Sequence, residues 1–240
     1  MDVRRRMMMS NKPFSRGINI DDYLTIEALE NGLTASLSTN GFEYCIDGDG
    51  NWKTVAANAS TESINAGQTM SLRSSNPTIT TNGGIGQFAI TKKCNLKGNC
   101  MSMLFGDAGK DNFSLSGKNY CFYNLFRGNT TIQSVSSGFL PATTLSNSCY
   151  YNMFYGCTSL TTAPDLPALT LVNYCYRYLF YRCSKLNYIK AMFTTTPSTT
   201  FTYNWVSSVA SSGTFVKNRD ATWNLSGASG VPNGWTIKIE

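Results

Sequence analysis

The stretch CYYNMFYGC at residues 149–157 places two cysteines around seven mostly aromatic and apolar residues, and a close copy, CYRYLFYRC, follows at 175–183. The longer segments align at steps of 28 and 26 residues. They are NYCFYNLFRGNTTIQSV (119–135), NSCYYNMFYGCTSLTTA (147–163) and NYCYRYLFYRCSKLNYI (173–189), with a degenerate earlier copy, NCMSMLFG (99–106). Self-similarity at such a period predicts units that stack on one another.

The apolar residues of each copy recur at i, i+1, i+4, i+5 and i+8, which predicts one face of an amphipathic helix. These positions hold Cys121, Phe122, Leu125, Phe126 and the polar Asn129 in the first full copy, Cys149, Tyr150, Met153, Phe154 and Cys157 in the second, and Cys175, Tyr176, Leu179, Phe180 and Cys183 in the third. A short β-type run follows each segment. We therefore expect the cysteines to be buried and to stack from unit to unit, as small apolar residues do in solenoids.

Other roles for the cysteines fit the sequence less well. A zinc site draws its ligands from closely spaced pairs, and the chain has no histidine. Two cysteines eight positions apart on a helix would lie about 12 Å apart along its axis, too far for a disulfide. Disulfides between stacked copies stay geometrically possible, although Asn129 interrupts one column, and a catalytic cysteine without histidine is a weak hypothesis. We expect unpaired thiols, no metal and no cofactor.

The recurring order of Asn-x-Cys, an aromatic segment, Cys-[Thr/Ser]-x-Leu and a Leu-Pro turn resembles the BspA-like leucine-rich-repeat family. That family occurs on surface proteins of gut bacteria and in proteins of their phages. The motif covers roughly residues 98–197, and the flanks YLTIEAL…EYCIDGDGNWKTV and TFVKN…ATWN…GVPNGWTIK resemble segments often found beside it. The resemblance implies adhesion or recognition rather than catalysis.

The flanking segments are rich in β-formers. Short runs between residues 20 and about 95, separated by Gly, Asn and Asp turns such as DGDGN (47–51), predict a small antiparallel sandwich. The expected fold is mainly β with short helices: an N-terminal antiparallel β-sandwich, a short BspA-like leucine-rich-repeat solenoid and a β cap. The corresponding ranges are a basic anchoring arm at 1–19, the sandwich at 20–97, the solenoid at 98–197 and the cap at 198–240. The two flanks would cover the ends of the solenoid.

The formal net charge of +6 is unevenly placed. The first sixteen residues hold five basic residues against Asp2: Arg4, Arg5, Arg6, Lys12 and Arg16. The rest of the chain has 15 basic and 13 acidic residues, so its near neutrality makes a nucleic-acid partner an unfavoured hypothesis. The basic start lacks the apolar run of a secretory signal, and we expect no membrane span. We expect the arm to dock on an acidic protein surface.

The repeats lack the residues of acid–base catalysis. From Tyr120 to Pro197 the only acid is Asp165, whereas glycoside hydrolysis uses two carboxylates, so we expect no catalytic residues and no enzyme. The face opposite the cysteines is either ordinary solvated surface or a contact face. Its candidate binding residues are Tyr123, Tyr151, Asn152, Tyr155, Arg177, Tyr178, Tyr181 and Arg182. A second candidate surface on the short strands holds Gln133, Thr161, Thr162, Asn187 and Tyr188.

Charged residues make up only 14% of the chain, a composition that favours a protein exposed outside the cell. Together with the expected free cysteines and the missing leader, this favours a virion protein that assembles in the host cytoplasm. The first hypothesis is a non-enzymatic structural or attachment protein of a phage particle, such as a head or tail fibre or a decoration. Its arm would bind phage structural proteins, and its repeats would recognise a host-surface glycan or protein. A closed homo-oligomer, foremost a trimer, is expected. The alternatives are a BspA-like adhesin on the bacterial cell surface and, more remotely, a glycan-modifying enzyme.

Overall fold

The computed structural model describes residues 17–75 and 83–240. The predicted anchoring residues Arg4, Arg5, Arg6, Lys12 and Arg16 lie outside the described residues. Within them the protein is mainly β with few short helices. The strands are β1 (Leu24–Ala28), β2 (Ala35–Leu37), β3 (Phe42–Ile46), β4 (Lys53–Val55), β5 (Thr69–Ser74), β6 (Phe88–Ile90), β7 (Cys94–Gly98), β8 (Ile132–Val135), β9 (Tyr188–Ala191), β10 (Thr214–Lys217) and β11 (Thr236–Ile239). One four-residue α-helix, α1 (Ser102–Phe105), and three 3-10 turns, Ile20–Asp22, Gly106–Asp111 and Ser137–Phe139, complete the regular structure of the described ranges.

The first seven strands form the sheet region of the chain. A six-stranded sheet has the order β4-β3-β5-β1-β7-β8, and β2 pairs with β6 in a separate two-stranded sheet. Every pairing among β1 to β7 is antiparallel, as the turn-separated β runs of the sequence predict. Strand β8 joins β7 in parallel, so the sheet continues from the sheet region into the first repeat.

The repeat segments are runs of turns rather than helices, which corrects the helix prediction. Along residues 147–157, backbone N–H groups donate alternately to the carbonyl three residues back and to the next repeat. The Tyr151 N–H donates to the Ser148 carbonyl at 3.3 Å, and the Asn152 N–H donates to the Arg177 carbonyl at 3.1 Å. Residues in the left-handed region recur every four positions. Because a period of 4 differs little from 3.6 over nine residues, the predicted buried face is right although the predicted conformation is wrong.

The buried side of the repeats is a set of aligned columns. The rings of Phe88, Phe126, Phe154 and Phe180 stack in order with centroid separations of 5.6, 5.5 and 5.8 Å. The cysteine prediction is confirmed for burial and for pairing: all eight thiols are buried and free. Two of them bond to the preceding repeat, since the thiol of Cys157 donates to the Phe126 carbonyl at 3.2 Å and that of Cys183 to the Phe154 carbonyl at 3.0 Å.

The stack of turns continues past residue 197, into the segment expected to be a cap. The Tyr178 N–H donates to the Tyr203 carbonyl at 3.0 Å, and the Phe180 N–H donates to the Trp205 carbonyl at 2.8 Å. Asn204 and Ser208 take the left-handed positions of a fourth run of turns. Strands β10 and β11 then extend the sheet side, pairing in parallel on β9. The ATWN segment is not a strand. Its Trp223 stacks on Phe193 at 5.1 Å and covers the core there.

Candidate functional site: a tyrosine and arginine surface on the repeats

The outward positions of the four runs of turns carry an unusual density of aromatic and basic side chains. In each run, pairs of buried residues alternate with pairs of partly exposed ones. Since the runs stack in parallel, equivalent outward residues form columns. We call the resulting face the Tyr–Arg surface. Its members are Tyr120, Tyr123, Arg127, Tyr151, Tyr155, Tyr174, Arg177, Tyr178, Tyr181, Arg182 and Tyr203.

Two columns form the centre of this surface. In the first column, Tyr123 and Tyr151 lie 5.3 Å apart between ring centroids. Arg177 takes the third position, with its guanidinium carbon 5.7 Å from the Tyr151 ring, and Tyr203 the fourth. In the second column, Arg127 lies 5.0 Å from the Tyr155 ring, which stacks at 4.9 Å on Tyr181. These separations are those of favourable aromatic and cation–π contacts.

Arg177 lies at the point where most of the rings meet. Its guanidinium carbon is 4.9 Å from the ring centroid of Tyr203 and 5.3 Å from those of Tyr174 and Tyr178. The Nε atom is buried and has no hydrogen-bond partner among the described residues, and the Arg177 side chain as a whole is partly exposed. The guanidinium therefore lies among tyrosine rings at a partly exposed position.

The Tyr151 hydroxyl responds to the same environment. Burial raises the pKa of Tyr151, and the positive charge of Arg177 opposes that rise. The group stays protonated at neutral pH and remains a hydrogen-bond donor and acceptor. The surface thus combines neutral hydroxyls with a fixed positive charge.

Asparagines next to the tyrosines support the turns. The Asn152 side-chain amide donates to the Asn124 Oδ1 at 3.1 Å, and both residues have left-handed backbone conformations. Asparagine tolerates this conformation better than most residues. Of the predicted binding residues, Asn152 therefore has a conformational role in the column. Its Oδ1 is buried and lacks a partner in the described part of the chain.

The structure brings the predicted candidates together on one face and adds neighbours that the prediction left out. Tyr203 belongs to the fourth run, where the cysteine position is filled by Phe201, and this substitution hid the repeat. A signal was present, because Tyr-Asn followed by two apolar residues occurs at 123–126, 151–154 and 203–206. Tyr120 and Tyr174 precede the cysteine of their runs and are exposed.

The second predicted surface has a different character. Its residues follow the strand side of the stack, where Thr161 donates from both its N–H and its hydroxyl to the Gln133 carbonyl, at 2.9 and 3.0 Å. Thr162 forms isolated parallel bridges with Ser134 and Tyr188. These groups maintain the register between repeats.

A separate polar cluster lies in the sheet region. The guanidinium of Arg73 lies 4.1 Å over the Trp52 ring and forms 2.6 Å ion pairs with Glu43 and Asp107. The Tyr23 hydroxyl donates to Asp107 at 2.9 Å. Burial, with help from this carboxylate, raises the pKa of Tyr23 to about 12. Asp107, in the 3-10 turn Gly106–Asp111, thus closes a network in which one guanidinium pairs with two carboxylates.

The acidic turn at residues 47–51 has the structural role that the sequence indicated. Asp47 accepts hydrogen bonds from the Thr69 N–H and the Gln68 side chain, each at 2.8 Å. Asp49 accepts from the N–H and side chain of Asn51. Residues 17–75 and 83–240 contain no group of three His, Cys, Asp or Glu side chains placed to hold a metal ion.

Comparisons of the chain with family models, with curated proteins and with solved structures find no match. None of the helices in the described ranges has the length and apolar character needed to cross a bilayer.

Proposed function

We propose that this protein is a non-enzymatic attachment protein of a phage particle that recognises a glycan on the host surface. In this proposal the four runs of turns are a short BspA-like leucine-rich-repeat solenoid between an N-terminal sandwich and a C-terminal cap. The observation that carries the proposal is the Tyr–Arg surface, which continues without interruption across the repeats. Tyrosine and arginine supply much contact area at a low entropy cost and are common anchors of interfaces.

The arrangement suits a ligand with repeated units. Rings at successive repeats offer equivalent stacking positions for sugar rings, each contact being worth about 1 kcal/mol. Several weak contacts on one chain, multiplied over the copies of an oligomer, give strong attachment through multivalency. We propose a closed homo-oligomer, foremost a trimer, because attachment proteins of particles occupy symmetric positions.

The state of the cysteines supports assembly inside a cell. Cys121, Cys149 and Cys175 occupy equivalent positions in consecutive repeats, and each is a free thiol. Thiols persist in the reducing cytoplasm, where phage particles are built, whereas secreted domains commonly pair them. We propose that the arm, residues 1–19, anchors the protein to phage structural proteins.

A substitution of four surface tyrosines tests the recognition step. Changing Tyr151, Tyr155, Tyr178 and Tyr181 to Ser together should leave the fold intact and weaken binding to host cells at least tenfold. Circular dichroism and light scattering check fold and oligomeric state. Tyr188→Ser, on the strand side, is the matched control and should bind normally. Dissociation of the oligomer by the quadruple variant would instead make the Tyr–Arg surface an assembly interface.

A truncation tests the anchor. Deleting residues 1–16 should leave the melting temperature of the protein unchanged while abolishing its incorporation into particles. Mass spectrometry of purified particles measures the incorporation. Normal occupancy of the truncated protein contradicts the anchoring role, and recovery of the protein from the bacterial envelope but not from particles would favour the cell-surface adhesin.

A further inference from the structure

The near neutrality of the folded chain conceals two oppositely charged parts. Residues 20–97 contain five basic and eight acidic residues, a net charge of −3, whereas residues 118–208 contain six basic residues and one acid, a net charge of +5. The one acid, Asp165, lies 3.6 Å from Lys190. The repeats are therefore basic, and their acid is already paired.

The arginines of the Tyr–Arg surface lack carboxylate partners. The sheet region pairs its charges internally, as in Lys97–Glu27 at 2.6 Å and Lys93–Glu30 at 3.0 Å. Across the described residues, Arg127, Arg177 and Arg182 form no ion pair and lie over tyrosine rings instead. An arginine edge without a counter-ion, beside hydroxyl groups, is suited to a bidentate contact with an oxyanion.

The third repeat has large side chains at backbone positions of left-handed conformation. In the second repeat the left-handed positions are held by Ser148, Asn152 and Gly156. The third repeat has Tyr174, Tyr178 and Arg182 there, with φ of 58, 54 and 60°. Large side chains disfavour this conformation, whereas Asn and Gly accept it, and such strain is concentrated at functional sites.

Two of the three left-handed residues contact the Arg177 guanidinium, and the third contacts a neighbouring tyrosine. The rings of Tyr174 and Tyr178 each lie 5.3 Å from the Arg177 guanidinium, and Arg182 lies 5.3 Å from the Tyr181 ring. Arg177 itself stands where the equivalent residues of the other three runs are tyrosines, Tyr123, Tyr151 and Tyr203. The second and third repeats thus share a backbone and differ at the outward positions that form this cluster.

We propose that the third repeat is the ligand-binding centre of the Tyr–Arg surface and that its ligand is an acidic saccharide, whose carboxylate binds Arg177 while its sugar rings pack on the neighbouring tyrosines. This inference rests on the proposed attachment function and names its ligand class. A sugar carboxylate matches one fixed guanidinium edge. A nucleic-acid strand, by contrast, calls for positive charge along its whole path, and the first and second repeats offer Arg127 alone on this surface.

The binding test uses probes that differ in one feature. Purified protein is titrated with oligogalacturonate, its methyl ester, colominic acid, a heparin oligosaccharide and a ten-nucleotide thymidine strand, followed by calorimetry. We expect binding to oligogalacturonate or colominic acid that weakens at least tenfold on esterification and in high salt. Preference for the sulfated probe would identify sulfate as the oxyanion and contradict the carboxylate. Preference for the thymidine strand, or absence of binding to both carboxylate probes, would overturn the proposal.

Substitutions taken from the sister repeats locate the site. Arg177→Tyr restores the residue of the other repeats, so the fold should persist while affinity for the acidic probe falls at least tenfold and affinity for neutral sugars stays the same. Lys185→Gln, at an exposed basic residue of the third repeat outside the Tyr–Arg surface, is the matched control with a loss below threefold. If Arg177→Tyr binds the acidic probe normally, the proposal is wrong. If Arg177→Tyr binds cells normally while the quadruple Tyr variant does not, the attachment function still holds. The ligand would then bind the Tyr–Arg surface outside the Arg177 cluster, and the proposed centre in the third repeat would be wrong.

The strain provides an independent readout. The double substitution Tyr178→Asn and Arg182→Gly, which copies the second repeat, should raise the melting temperature while weakening acidic-saccharide binding at least tenfold. The reciprocal change, Asn152→Tyr with Gly156→Arg, should lower the melting temperature. If the first double variant is less stable and still binds, the left-handed residues serve the fold, and the third repeat is not the binding centre.

Discussion

The sheet region and the stack of repeats handle polar groups in opposite ways. In the sheet region, basic side chains pair with carboxylates of the same chain: Arg73 contacts Glu43, Asp107 and the Trp52 ring at once. In the stack, equivalent residues of successive repeats contact one another in columns. Among the described residues, the outward arginines of the stack have no carboxylate partner. The contrast indicates that the sheet region is built to be self-sufficient, while the outward side of the stack is available to a partner.

The two regions nevertheless share a hydrophobic core. Buried residues from Leu24 in β1 to Trp235 near the carboxyl end belong to one continuous cluster. Phe126 is the junction, because its ring stacks on Phe88 of β6 on one side and on Phe154 of the next repeat on the other. The difference between the regions therefore lies in their surfaces rather than in separate cores.

The largest expected effect comes from breaking that junction. Phe126→Ala should lower the free energy of unfolding by about 3–5 kcal/mol, since a fully buried ring with stacking neighbours on both sides is lost. Denaturant unfolding measures the change. Arg127→Ala, one residue away and exposed, should cost less than about 1 kcal/mol. A small loss for Phe126→Ala, or two separate transitions in the parent protein, would show that the regions unfold independently.

Much of this arrangement could be predicted from the sequence. The β runs of the sheet region and the buried cysteine face follow from residue type and spacing. The turn conformation could not be predicted, because over nine residues a four-residue period of buried positions cannot be distinguished from the 3.6-residue period of an α-helix. The signal for left-handed positions was Asn and Gly at 124, 128, 152 and 156, and the third repeat obscures it with Tyr and Arg. Whether an arginine has a carboxylate partner depends on contacts distant in sequence, as Arg73 with Asp107 illustrates.

The Arg73 network gives the next largest effect. Arg73→Ala should destabilise the protein by about 1–2 kcal/mol, because the partly buried Glu43 and the exposed Asp107 lose their counter-ion and Trp52 loses its cation–π contact. Arg177→Ala, which removes a charge without a carboxylate partner, should change the unfolding free energy by less than about 1 kcal/mol. Equal losses in the two variants, measured by denaturant unfolding, would contradict the contrast between paired and unpaired arginines.

The stability of the two regions should respond differently to acid. Burial alone would raise the pKa of Asp107, but the hydrogen bonds from Arg73 and Tyr23 outweigh it and lower that pKa. A lowered pKa in the folded state gives stability that is present above the unfolded-state pKa, about 4, and is lost as the pH falls through the folded value. In the repeats, burial raises the pKa of Asp165, so its contribution has the opposite sign. Hydrogen exchange from pH 6 to pH 3 should show the sheet region opening first, and earlier opening of the repeats contradicts this assignment.

Substituting a cysteine of the buried columns should change the unfolding free energy only modestly. Cys149→Ala should cost about 1–2 kcal/mol through a small cavity, without loss of bound metal. Burial raises the pKa of the Cys149 thiol well above its usual value, so iodoacetamide should label it only after unfolding. Stoichiometric zinc in the purified protein, or rapid labelling of the native state, would show that the columns are more than packing.

The smallest expected change is a gain in stability from within the repeat columns. Tyr150 is fully enclosed, and its hydroxyl has no hydrogen-bond partner among the described residues, while Phe122 holds the equivalent position one repeat earlier at a ring separation of 5.7 Å. Tyr150→Phe removes an unsatisfied buried hydroxyl and should raise the unfolding free energy by about 1 kcal/mol. Tyr176→Phe, whose hydroxyl is not an unsatisfied buried group, is the matched control and should bring no gain in stability. If Tyr150→Phe is less stable instead, the hydroxyl must be hydrogen-bonded to a buried water. The interior of the stack would then contain a satisfied polar group, as the sheet region does.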